Sequence, residues 1–124
     1  MRKRRKKMKR NLIARMVVAL TLTVIAAVTS FAGETLDLAR PYATRYFTQK
    51  FYAGERVDVT VIGDGGTNLD LYVLDTYGRE IARREGPTDI EMLTLDIFRT
   101  EVFTIKVVNR GQHTNEFSVF TDIR

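Results

Sequence analysis

Arg56-Val57-Asp58-Val59-Thr60-Val61-Ile62-Gly63-Asp64-Gly65-Gly66-Thr67-Asn68-Leu69-Asp70-Leu71-Tyr72-Val73-Leu74-Asp75 is the stretch that decides the fold. In its first part Val57, Val59 and Val61 alternate with Arg56, Asp58 and Thr60, the period of two expected of a strand with one face buried. The run from Leu69 to Asp75 repeats the pattern, with Leu69, Leu71 and Val73 against Asp70, Tyr72 and Leu74. Between them, three glycines with Asp64, Thr67 and Asn68 make a loop in which positive φ costs little. Two strands and a polar turn are the unit of an antiparallel sheet.

The same period continues outward. Toward the C-terminus, Tyr77 and Gly78 turn the chain into a short strand at Glu80 to Arg84, and Gly86 and Pro87 mark the next turn. Ile90 to Phe98 reads as a further strand, although residues Asp89 to Ile97 also allow a short helix. Val102 to Val108 alternates against Phe103, Ile105 and Val107, Asn109 to Asn115 is a loop, and Glu116 to Ile123 is the last strand. Toward the N-terminus, Tyr42 to Tyr52 is an aromatic-rich strand closed by Ala53, Gly54 and Glu55, and Gly33 to Pro41 is a short leader that Pro41 ends. Seven or eight short strands with Gly and Asn turns predict one all-β domain over residues 42–124, an antiparallel β-sandwich.

Charge separates this domain from what precedes it. Of the 20 Lys and Arg in the 124 residues, nine precede residue 16, and none of the 15 acids comes before Glu34. Met16 to Ala32 then holds no charged residue, the order of a secretory signal peptide and its helix over residues 1–32. Ser30 and Ala32 give the small-x-small ending that a signal peptidase requires, which places cleavage between Ala32 and Gly33. The alternative is an uncleaved membrane anchor, since 17 uncharged residues stand at the lower limit for crossing a bilayer. Either way the domain is exported, periplasmic or extracellular, and meets the membrane only through this segment. The basic run is thereby absorbed, and a nucleic-acid partner is not expected. Without residues 1–32 the chain has 92 residues, 11 basic against 15 acidic, so the pI near 9.7 describes the precursor alone.

Catalysis has little to work with. No cysteine exists for a disulfide, a thiol nucleophile or a zinc site; His113 is the single histidine and lies in a polar loop; Ser118 sits within a strand. The reading is therefore of a protein that is not an enzyme. The acidic loop offers more: Asp64, Asn68, Asp70 and Asp75 supply hard oxygens around a glycine-rich bend, the ligand type of calcium. The competing reading, which carries more weight, has Asp64 and Asn68 capping turns and Asp70 accepting backbone hydrogen bonds. Tyr42, Tyr46, Tyr52, Tyr72 and Tyr77 are either core rings or a surface for a polysaccharide or an extended peptide.

Asp64 to Asp75, followed by Tyr77-Gly78, resembles the bacterial pre-peptidase C-terminal domain, in which an acidic Gly-rich loop leads into an Asp-Leu-Asp-Leu-Tyr-Val-Tyr-Asp type strand. Phe51, Ala53, Gly54, Glu55 and Val57 match the entry to its preceding strand, and Phe103 to Asn109 is similar to its Tyr-Thr-Ile-Arg-Val-x-Asn strand. The resemblance covers roughly Tyr46 to Thr121. It implies a jelly-roll-like sandwich that accompanies secreted peptidases and assists secretion, localisation or substrate binding, with calcium- and collagen-binding relatives. Asp70 and Asp75 match the family's acidic strand positions, Asn68 replaces its usual first Asp, Val102 stands where Gly is common, and Phe103 and Phe117 replace Tyr. The function expected is an exported, non-catalytic binding or accessory module with a protein or polysaccharide partner; the alternative is a structural subunit of an envelope or extracellular assembly.

Overall fold

The computed structural model describes residues 28–30 and 33–124. Nine strands are present among them: β1 Val28–Ser30, β2 Glu34–Ala39, β3 Thr44–Phe51, β4 Arg56–Ile62, β5 Leu69–Leu74, β6 Glu80–Arg84, β7 Ile90–Asp96, β8 Glu101–Asn109 and β9 Asn115–Ile123. They form two sheets, ordered β1-β3-β8-β5-β6 and β2-β9-β4-β7. Pairing from β2 to β9 is antiparallel, and β1 alone runs parallel to its neighbour, Val28 opposite Tyr46 and Ser30 opposite Thr48. The fold is the all-β sandwich that the alternation predicts.

Alternation decides which side chains enter the core. Val57, Val59 and Val61 of β4 face Leu69, Leu71 and Val73 of β5 across the sandwich, all without solvent exposure. Phe103, Ile105 and Val107 of β8 and Phe117 and Val119 of β9 complete the two inner faces. Phe47 meets Phe117 edge-on at 6.1 Å between ring centroids, joining one sheet to the other. Burying one such ring or aliphatic chain contributes about 1.5–3 kcal/mol, so these inner faces dominate stability in a chain without disulfides.

Three expectations change. Gly33 to Pro41 is not a leader: Glu34–Ala39 is β2, the edge of the four-stranded sheet, hydrogen-bonded along β9 from Glu34 opposite Phe120 to Ala39 opposite Asn115. Its parity is inverted, because Leu36 and Leu38 face solvent whereas Thr35, Asp37 and Ala39 face inward. Asp37 is accommodated by Arg45 of β3, whose Nε donates to its Oδ2 at 2.8 Å across the seam between the sheets. Second, Asp89 to Ile97 is no helix; β7 pairs with β4 through its whole length. Third, strands that precede Tyr42 belong to the two sheets, β1 beside β3 and β2 beside β9. The signal helix and the cut after Ala32 fall on residues 1–32, outside the described residues except for Val28–Ser30.

Candidate functional site

Strands β4, β5, β7, β8 and β9 bring the loops at 63–68, 85–89 and 110–114, with the β2–β3 turn, to one end of the sandwich. Asn115, fully buried at the start of β9, ties three of them. Its Oδ1 accepts from the Asp64 N–H at 3.0 Å, and its Nδ2 donates to Thr67 Oγ1 and Asp89 Oδ2, each at 3.0 Å. Asp89 Oδ2 also accepts from the Gly65 N–H at 2.6 Å. Gly63 lies inside this knot, where a Cβ would overlap Asp89 Oδ2 and stand 2.6 Å from Asn115 Oδ1. Asn109, also without exposure, holds the rest: its Nδ2 donates to the carbonyls of Ala39, Arg40 and His113, and its Oδ1 accepts from the Gly111 N–H. A buried amide satisfied in this way fixes loops that would otherwise leave backbone groups unpaired.

Asp64 belongs to the same framework. Its two oxygens accept from the N–H groups of Gly66 and Glu116, both at 2.9 Å, and those bonds hold its carboxyl below its ordinary pKa. Gly65 takes φ +90°, the left-handed conformation that the loop requires of a glycine.

A second polar group covers the outer face of β5. Asp70 and Tyr72 point away from the core yet are buried, because Arg110 lies over them. Arg110 Nε donates to Asp70 Oδ2 at 2.8 Å and its Nη2 to the Tyr72 hydroxyl at 2.6 Å. The Tyr72 hydroxyl donates to Glu85, which lowers the Glu85 pKa, and Lys106 Nζ stands 4.9 Å from the Tyr72 ring centroid. On the inner side, Glu91 of β7 is buried beside Gly86; burial first, and the charge of Asp70 second, push its carboxyl above its ordinary pKa.

The four residues expected around calcium are thus dispersed among different tasks. Asp64 builds the loop, and Asp70 is paired with Arg110. Asp75 lies past the far end of β5, five residues or roughly 17 Å from Asp70 along a strand. There it accepts from the N–H groups of Tyr77 and Arg79 and from Arg79 Nε; burial opposes its ionisation, but these donors outweigh it and lower its pKa. Asn68 Oδ1 and Asp70 Oδ1 are buried and accept no hydrogen bond. Among the described residues no group of three or more acids or histidines stands close enough together to hold a metal. The four positions do not fit one calcium shell.

The tyrosines are equally scattered. Tyr42 is exposed at the loop end, Tyr52 and Tyr77 at the opposite end, and Tyr72 is buried under charged side chains. They form no single platform for a sugar. His113 lies exposed in its loop and lends its main-chain carbonyl to Asn109, and Ser118 lies on the outer face of β9. Sequence reasoning missed Asn109, Asn115, Asp89 and Arg110. The two asparagines do bracket the loop between β8 and β9, where an amide at each strand end is a recognisable signal for a side chain that ties turns.

Comparison with known proteins places this architecture. No family model matches the chain, and no curated protein matches its sequence. Among solved structures, the chain is similar to the pre-peptidase C-terminal domain of a collagenase from Bacillus anthracis, with a TM-score of 0.61 at 8% identity, over 82% of this chain and 100% of that one. It is also similar to a periplasmic inhibitor of g-type lysozyme from Aeromonas hydrophila, with a TM-score of 0.59 at 17% identity, over 78% of this chain and 97% of that one. The sandwich is therefore a pre-peptidase C-terminal-like fold, in accord with the resemblance of the Asp64 to Asp75 stretch.

Proposed function

We propose that this chain is an exported, non-catalytic binding or accessory module. The observation that carries the reading is the commitment of the polar residues at the loop end: Asp64, Asp89, Asn109 and Asn115 bond loop backbone, and Asn115 bonds Asp89 as well, leaving a rigid scaffold in place of a reactive constellation. The fold agrees, since one similar structure is a domain attached to a collagenase and the other an inhibitor of an enzyme. Export follows from the basic and apolar blocks before Gly33. The test is to produce the tagged chain in a bacterium, fractionate the cells, determine the N-terminus of the product and assay it against peptide and glycan substrates. A product outside the cytoplasm that begins at Gly33 and hydrolyses nothing agrees with the proposal. Turnover abolished by changing one residue overturns it.

The second reading, a subunit of an envelope assembly, has its own observation. The outer face of the four-stranded sheet carries Leu36, Ile62, Ile90 and Met92, exposed by 77, 41, 60 and 50%. Three of them lie in one cross-strand row with Ser118. Sedimentation at rising concentration separates the readings: self-association supports the subunit, and a monomer throughout supports the free module.

A further inference from the structure

The two sheets are fastened along one seam and part along the other. On the β2–β3 side, Arg45 and Asp37 join them, and Thr121 Oγ1 donates to Gln49 at 2.9 Å. On the β6–β7 side the clip is near the loop end, where Arg84 Nε donates to the Met92 carbonyl at 3.3 Å. Beyond that clip the sheets separate into a cleft of about 440 Å³. That volume lies within the range of ligand pockets.

The cleft has a definite chemistry. Its floor is Ala82, Leu95, Ile97 and Phe103, and Phe98 stands at its mouth with 87% exposure. Its walls are β6 and β7, the last strands of their sheets, whose outward N–H and C=O groups have no strand partner among the described residues. An apolar floor between two open strand edges accepts a ligand with main-chain donors and acceptors on its sides and a bulky apolar group in the middle. A strand has that pattern, as in recognition by strand addition. The segment available is short: Thr94 to Phe98 spans five residues, roughly 17 Å of extended chain, of which Thr94 to Asp96 belong to β7 and Ile97 donates its N–H to Glu55 and accepts from the Gly54 N–H. Three carboxylates, Asp75, Asp96 and Glu101, line the cleft against the one guanidinium of Arg99. Asp75 is occupied by Arg79, whereas the Asp96 side chain is 58% exposed with only a 3.3 Å contact to Arg56. The accessible acid favours a cationic group beside the ligand's apolar anchor.

We propose that this cleft binds an extended peptide segment of a partner protein: about five residues lying along Thr94 to Phe98, the end of β7 and the two residues after it, one aromatic or large aliphatic side chain on the floor, and a lysine or arginine flanking it. The proposal rests on the reading of the chain as a binding module and names its class of partner.

The probe is a fluorescein-labelled octapeptide of alternating threonine and valine with a central phenylalanine and a lysine at each end, titrated against the full chain by anisotropy. Saturable binding is expected. It should weaken roughly tenfold on Phe98→Ala, and by as much when alternate peptide amides are N-methylated, because the aromatic anchor and the main-chain bonds are removed separately. Hydrogen exchange should slow at Thr94 to Phe98. Glutamates in place of the terminal lysines should weaken binding by a smaller factor. No saturable signal up to about 1 mM peptide, equal binding of the N-methylated peptide, or protection confined to another surface overturns the cleft as the site. The binding-module reading fails on a different result, hydrolytic turnover. A chain that neither binds the octapeptide nor hydrolyses substrate therefore loses the cleft and keeps the module.

Discussion

The loop end and the β6–β7 seam both lie where the two sheets meet solvent, and they are finished in opposite ways. At the loop end, Asp64, Asp89 and Asn115 form one hydrogen-bonded group and Asn109 a second, between segments as far apart in sequence as Ala39 and Asn109. At the seam, one arginine-to-carbonyl bond is followed by an apolar gap with an exposed phenylalanine at its edge. The loop end has the composition usually associated with a site, acids and glycines, yet its groups are used up in holding backbone. The seam has the composition of an ordinary strand pair, yet it keeps space and unpaired main chain. Polar richness in this domain therefore marks groups that hold loops together, and the open space lies over an apolar floor.

The sharpest way to break this contrast is Asn115→Ala. It removes the acceptor for Asp64 N–H and the donor to Thr67 and Asp89 while leaving those groups in place, so the cost is that of stranding several buried partners, about 3 kcal/mol. Urea unfolding should show a lower midpoint at unchanged slope. A loss within experimental error would mean that the loops stand without the knot. Gly63→Ala tests the same region by volume: its methyl would occupy the space of Asp89 Oδ2, and overpacking should cost about 2 kcal/mol.

The pH dependence divides the acids by what they touch. Asp64 has a folded pKa lowered from 3.8 by the N–H groups of Glu116 and Gly66, so its contribution is present above the unfolded value and is lost as pH falls through the folded one. Asp64→Asn should therefore be less stable than the parent at neutral pH, with the gap closing in strong acid. Glu91 has the opposite sign. Its folded pKa is raised from 4.5 by burial and by Asp70, so its contribution is complete below 4.5 and lost as pH rises through the folded value. Glu91→Gln should match the parent near pH 4 and melt higher at neutral pH. A Glu91→Gln variant that melts lower at neutral pH would show that the carboxylate has a partner and would undo this assignment.

What could be read from the sequence follows from the range of the interactions. β4, β5 and β8 were legible because alternation is local and each turns its apolar residues to the core; Val57, Leu71 and Ile105 sit where the period of two puts them. β2 was not, because its parity runs backwards: Leu36 and Leu38 face out and Asp37 faces in, where Arg45 of the other sheet pairs with it. The acidic loop was legible as a turn, but where its carboxylates find partners was not, for the same reason. Residue types announced donors and acceptors, but the partners of these carboxylates, the Glu116 N–H for Asp64 and Arg110 for Asp70, lie 52 and 40 residues away. Strand register, which no short motif encodes, decides whether such oxygens face an ion or an arginine.

The smallest expected effect on stability is Phe98→Ala, and it completes the contrast. A ring 87% exposed buries little against its own chain, so removing it should shift unfolding by less than about 0.5 kcal/mol. A surface aromatic that adds nothing to the fold and stands beside a cleft is the residue type that carries energy in interfaces. Equal melting temperatures of Phe98→Ala and parent, measured beside the Asn115→Ala loss, would show that the domain invests its stability at the loop end and leaves the seam free to serve another chain. A loss comparable to that of Asn115→Ala would instead make Phe98 part of the core's closure, and the seam would be as structural as the loops.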